Sequence, residues 1–373
     1  NIESGIKEEE VTPPQAVENL PSGEKIKSKS DKNLYEEGLL LIKDKKYTEG
    51  IEKFLAILDC ENIGLQTVID VRSQLAKLYK IIGEYSVAEH YYELLETYYR
   101  EHLEFINLNY LYYDMTDLYF KMYKNDRALD TIKRVIYSVD TPKSLLVNAC
   151  ILSGNIYTEI KNYDEAYIYY KKALESVDEN TEEIILAELY FKFALANDDK
   201  GISNLAFEYY NKCISTGGEN PYRIIAYSNL ASCYYENGNY TDALSCFKIA
   251  YEGDKSANNY DGIYYTSLHL AKIFAQMNSQ DALDYFVEAK QSAEFLNDQY
   301  LILEVSLALG DYYYNDYKNY DKCLIEYYKA LNVANDIQGY IEIGKIERRI
   351  EDMKARMLPD DFAKIESKYG KKS

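Results

Sequence analysis

Tryptophan is absent from the 373 residues, proline occurs 6 times, histidine 3 times and glycine 17 times. Glycine this scarce leaves no loop able to cradle a phosphate, and neither GxxxxGK[ST] nor GxGxxG occurs. The histidines (His90, His102, His269) are too scattered for a shared triad or metal set, and there is no HExxH. The six cysteines (60, 150, 213, 233, 246, 323) form no CxxC and no metal-ligand spacing. Basic residues are also in deficit, 42 against 62 acidic, for a formal charge of −20. A surface of that sign repels polyanions, so broad nucleic-acid binding is excluded. No apolar run approaches the roughly 18 residues that a spanning helix needs. Acid pairs such as Asp198-Asp199 and Asp360-Asp361 are chain neighbours and read as solvated surface, whereas acid–base work needs carboxylates in differently buried settings. No enzyme, cofactor or metal is expected.

Tyrosine, by contrast, reaches 42. None of it lies in residues 1–31, a Pro- and Glu-containing stretch (Pro13, Pro14, Pro21) that cannot bury enough apolar area to offset the entropy of ordering. That stretch reads as a disordered tail. From residue 32 a repeat sets in: a small residue, an aromatic three later, a polar turn, then small, aromatic and small again. The clearest copies are Gly154, Tyr157, Ala166, Tyr170, Ala173 and Ala231, Tyr234, Ala243, Phe247, Ala250. The third unit (Thr116, Tyr119, Ala128, Ile132) is degenerate, and the fifth has Asn197 where an aromatic is expected. Intervals of three, four and seven place these residues on one helical stripe. Small residues let two antiparallel helices approach, and the aromatics fill the space beside them. In the last two units the spacing between the two small residues changes from 12 to 11 (Ala271–Ala282) and 13 (Gly310–Cys323), which reads as altered turn length. Thr141-Pro142 and Asn220-Pro221 read as a cap followed by proline at the first helical position.

The Ala…Phe/Tyr…Ala half, as in Asp242-Ala243-Leu244…Phe247…Ala250, resembles the tetratricopeptide repeat family over about residues 31–335. The resemblance implies an all-α, right-handed superhelical solenoid of about eight antiparallel helix hairpins. Successive second-helix small residues stand 37 to 41 apart, longer than the family's usual ~34. Such units are similar to those of bacterial peptide-sensing regulators and of eukaryotic cargo or polarity adaptors. Residues 32–337 form the array, and residues 338–373 a capping helix and short basic tail. The seam Ile343, Ile346, Ile350, Met353, Met357 is the face with which that helix shields the last repeat.

Function follows from the solenoid reading. In the doublets Tyr91-Tyr92, Tyr169-Tyr170, Tyr209-Tyr210 and Tyr327-Tyr328 the second ring is read as core; in Tyr234-Tyr235 and Tyr313-Tyr314 the first is. A helix turns about 100° per residue, so each partner ring points elsewhere, for first helices toward the concave wall. Tracing first helices nominates a peptide groove of Asn148, Asn155, Lys192, Ser228, Asn229, Ser232, Tyr235, Tyr265, Lys272 and Tyr314. Tyrosine supplies apolar area and a hydroxyl, and asparagine can pair with both edges of a peptide backbone. The Lys/Asn/Arg set with which carboxylate-clamp members of the family bind a C-terminus is incomplete. The expected function is a non-catalytic scaffold for a neutral or basic segment of another protein. A peptide-sensing regulator and a tethered envelope or assembly component are the alternatives. Cysteine at small-residue positions (Cys213, Cys323) favours a reducing compartment, hence the cytoplasm, and Cys233 and Cys246 are the one pair placed for a bridge across a hairpin.

Overall fold

The computed structural model describes residues 29–60, 63–315 and 318–370; the tail assigned to residues 1–31 lies outside these, except for its last three residues, which open the first helix. Among the described residues there are eighteen α-helices and no strand. They fall into two compact units, one ending at Thr181 and one beginning at Glu182.

The first unit comprises α1 (Lys29–Lys43), α2 (Tyr47–Leu58), α3 (Leu65–Ile82), α4 (Tyr85–Glu101), α5 (Phe105–Lys121), α6 (Asn125–Ile136), α7 (Lys143–Glu159) and α8 (Tyr163–Ser176). The second comprises α9 (Glu183–Asp199), α10 (Ser203–Ser215), α11 (Arg223–Glu236), α12 (Tyr240–Ala257), α13 (Tyr260–Gln276), α14 (Asp281–Leu296), α15 (Gln299–Asn315), α16 (Tyr320–Asp336), α17 (Tyr340–Arg356) and α18 (Pro359–Tyr369). In each unit odd and even helices pair as hairpins, and each hairpin packs on the next. Within a hairpin the sequence stripe does the packing. Tyr170 of α8 lies directly over Gly154 of α7, where a Cβ would stand 2.3 Å from the ring, and Tyr327 lies likewise over Gly310 at 2.6 Å. In the first hairpin Phe54 lies over Gly38 at 2.9 Å; in the other five alanine or threonine takes the glycine's place, and Ala76, Tyr92, Thr116, Ala194, Tyr210, Ala231, Phe247, Ala271 and Phe286 are all buried. Burying an aromatic side chain of this size contributes about 2–3 kcal/mol.

Hairpin turns share one hydrogen bond. The backbone N–H of Glu84 donates to Tyr79, Asn162 to Tyr157, Ile202 to Asn197 and Asn239 to Tyr234, each reaching back five residues across a left-handed residue. The two odd spacings are explained here. In the last hairpin the Asn319 amide reaches back six, to Tyr313, so one residue is inserted. In the seventh, Ser279 keeps the usual bond to Phe274, but the Ala282 amide then reaches back three, to Ser279, where its counterparts reach four.

Three readings of the sequence need correction. Pro142 flanks α7 as its N-cap residue while Thr141 turns away and donates to the Val135 carbonyl, and α11 starts at Arg223, two residues past Pro221, because the Asn220 side chain accepts from the Tyr222 amide and forms a turn first. The last tyrosine doublet is read the wrong way round: Tyr327 is the ring over the small residue. Both members of Tyr91-Tyr92, Tyr169-Tyr170 and Tyr327-Tyr328 are buried, so the partner rings pad helix interfaces. Cys233 and Cys246 are free thiols, and Cys233 Sγ lies 3.6 Å from an Asp198 oxygen.

At the C-terminal end, α17 lays Ile346, Ile350 and Met353, all buried, against α16, with Ile343 and Met357 partly covered; Phe362 and Ile365 of α18 complete the same cluster around Leu324 and Tyr328.

Candidate functional site

Each first helix of the second unit touches the next through side chains on one face. Asp198 of α9 accepts from Cys233 of α11, Ser232 of α11 bonds the Tyr265 hydroxyl of α13 at 2.8 Å, and Lys272 of α13 reaches Glu304 of α15 at 3.5 Å. Tyr314 of α15 donates to Asp352 of α17 at 3.2 Å, beside the Asp311–Arg349 ion pair at 3.1 Å. This row is a continuous polar and aromatic surface built on rigid helices.

Its centre is aromatic. The His269 imidazole stacks on the fully buried Phe247 ring at 5.0 Å. Tyr265 leans over it at 4.3 Å and Tyr235 stands perpendicular to it at 5.9 Å and 89°. Tyr240, which opens α12, meets Tyr235 edge-on at 5.5 Å. Two of the rings are pinned by their polar ends: Tyr265 by Ser232, and His269 by the Tyr265 carbonyl at 2.8 Å. Burial holds the His269 imidazole below its ordinary value, with Lys272 acting in the same sense, while the Tyr265 carbonyl and Glu304 pull the other way. The ring is therefore neutral near pH 7. Burial raises the Tyr265 hydroxyl, and the negative fields of Glu236 and Asp198 raise it further.

The nominated residues divide between the units. Asn148 and Asn155 belong to the first, half-buried on α7; Lys192, Ser228, Asn229, Ser232, Tyr235, Tyr265, Lys272 and Tyr314 belong to the second. Ser232, Tyr235 and Tyr265 come together around His269, with Lys272 one turn further along α13. Lys192 is half-buried on α9. Ser228 is buried, and its carbonyl accepts the Ser232 hydroxyl, so it supports the face from behind. Asn155 and Asn229 each spend an amide group on a core tyrosine: Tyr170 donates to Asn155 at 2.8 Å, and Asn229 donates to the Tyr210 hydroxyl at 3.3 Å. Tyr314 sits apart, between Asp352 and the Arg356 guanidinium.

Sequence reasoning missed His269 and Asp198. His269 was passed over as a lone histidine, although its place four residues after Tyr265 puts both on one helical face. Asp198, read as solvated surface beside Asp199, is half-buried and takes bonds from Cys233 and from the Tyr210 hydroxyl at 3.5 Å. Among the described residues no three His, Cys, Asp or Glu side chains are grouped to hold a metal, and no helix is long and apolar enough to cross a membrane.

These stacked hairpins, small residue against aromatic, are of the tetratricopeptide repeat type. The tetratricopeptide repeat model matches residues 149–184 and 226–259. Among solved structures, the apo form of RapI is similar with a TM-score of 0.63 at 14% identity, over 91% of this chain and 97% of that one. The C-terminal part of a tetratricopeptide repeat-containing protein from Cytophaga hutchinsonii gives 0.50 at 18% identity, over 69% and 93%. A Rap protein complexed with competence and sporulation factor gives 0.46 at 15%, over 91% and 100%. At these identities the likeness is one of fold. No curated protein matches the sequence itself.

Proposed function

We propose that the protein is a non-catalytic scaffold, and that the first-helix face of its second unit holds a neutral or basic segment of another protein. The observation that carries this reading is the pinned group Ser232, Tyr235, Tyr265 and His269. Tyr265 and His269 are fixed by hydrogen bonds, yet Tyr265 remains 38% exposed. Rigid aromatic surface with polar neighbours binds peptides well because little side-chain entropy is lost on contact. The chain's −20 charge supports a basic over an acidic partner, chiefly through association rate and specificity. Fluorescence anisotropy against a library of labelled dodecapeptides at two salt concentrations tests it. Bound peptides should weaken as salt rises and lose about tenfold in affinity, roughly 1.4 kcal/mol, on Tyr265→Ala. Binding that ignores both Tyr235→Ala and Tyr265→Ala removes this face from consideration.

A further inference from the structure

The aromatic group on α11 and α13 has a specific shape and a specific charge. The His269 ring, backed by Phe247, forms a floor; Tyr235, at 89° to it, forms a wall, and the tilted Tyr265 ring forms the other side. The hydrogen bond between Tyr265 and Ser232 holds the hydroxyl end of that ring, and Tyr265 remains 38% exposed. Two carboxylates act on the Tyr265 side, Glu236 and Asp198. Glu236 is exposed at the end of α11, and Asp198 is half-buried with a phenol and a thiol as its donors. No described lysine or arginine pairs with either, whereas Glu304, at the other side of the floor, is answered by Lys272. The notch thus combines electron-rich ring faces with two uncompensated negative charges, and its own imidazole carries none near pH 7.

We infer that this notch, Tyr235–His269–Tyr265 with Glu236 and Asp198 at its rim, is a subsite for one cationic side chain, arginine or lysine, of the bound protein segment. A cation is attracted to the face of an aromatic ring, more strongly as water is excluded, and the rim carboxylates add a charge-assisted bond. An apolar side chain would leave the two negative charges without a counter-charge, and an acidic one would be repelled. The inference rests on the scaffold reading and sharpens it from a face to a residue.

A positional-scanning hexapeptide library, with each position in turn fixed as one amino acid and the others randomised, tests it on the full chain. The expected result is selection of Arg or Lys at one position, about 5- to 30-fold over alanine. That selection should fall on Tyr265→Leu and on Glu236→Gln, the second being an exposed change that leaves packing intact; circular dichroism checks that both variants fold. Peptides that bind with no preference for a cation overturn the subsite and leave the scaffold standing. A cation preference that persists in Tyr235→Leu, Tyr265→Leu and Glu236→Gln overturns the assignment to this notch. A library that gives no binding at all overturns the scaffold reading and the subsite with it.

Discussion

At the residue scale the molecule depends on the contact between an aromatic ring and the small residue beneath it. Gly154 is glycine because Tyr170 occupies the volume a methyl group would need, the ring carbon standing 2.3 Å from an ideal Cβ. Gly154→Ala should cost about 1–2 kcal/mol as the ring is displaced, read as a lower urea midpoint at unchanged slope. This pairing was legible in the sequence, since intervals of three, four and seven fix which residues share a stripe. The destination of the tyrosine hydroxyls was not. Tyr170, Tyr210 and Tyr327 reach out of the core to Asn155, Asp198 and Asp311, so an amide that reads as a groove residue is partly occupied from inside. Only the placement of one helix against another reveals that. His269 gives a second expectation. Its folded-state value is lowered, so as pH falls through the unfolded value, about 6.5, the unfolded chain takes up the proton first and stability is lost. The urea midpoint should therefore drop from pH 8 to pH 5.5 by more in the wild type than in His269→Gln. An equal drop in both assigns the pH dependence elsewhere.

At the scale of the element, every hairpin closes through a residue with positive φ. Gly83, Gly201 and Gly238 fill the position without strain, but Lys45, Tyr123, Lys161 and Lys318 also adopt it, with φ between 46° and 60°. The glycine turns could be read from the sequence because glycine announces a left-handed conformation, and Asn162 and Asn319 mark two of the lysine turns; that the lysine or tyrosine itself turns left-handed could not be read, because there the geometry is imposed by the packed helices on either side. A side chain held in this region costs roughly 1–2 kcal/mol, partly offset by the entropy that glycine adds to the unfolded chain. Lys161→Gly should accordingly stabilise the protein by about 0.5–1 kcal/mol, while Gly83→Ala should destabilise it by a similar amount. Thermal melts of the two variants check the signs. The helix starts show the same limit: Thr141-Pro142 and Asn220-Pro221 mark a boundary correctly but not the residue at which the helix begins, which was settled by the Thr141–Val135 and Asn220–Tyr222 bonds.

At the scale of the whole molecule, stability is a sum over neighbours. In the second unit α16 is covered on its far side by α17 and α18, which bury Ile346, Met353 and Phe362 against Leu324, Tyr327 and Tyr328. Truncation after Ile337 uncovers that cluster, and the shortened chain should bind a hydrophobic dye and lose amide protection first in α15 and α16; protection unchanged there would show that the last hairpin stands without its cover. The periodicity made the hairpin array legible, but a repeat pattern fixes each hairpin against its neighbours and is silent on which surface a partner meets. The cysteines open a way to watch such an array come apart. Cys150, Cys213, Cys233 and Cys323 sit buried in four different hairpins, and burial pushes their thiols up, to about 11 for Cys150 and Cys213 and about 12 for Cys233 and Cys323. A thiol so protonated and enclosed meets an alkylating reagent only when its own hairpin opens. Timed pulses of reagent followed by mass spectrometry would then log the order of opening along the unmodified chain, each sulfur acting as a clock for its own hairpin.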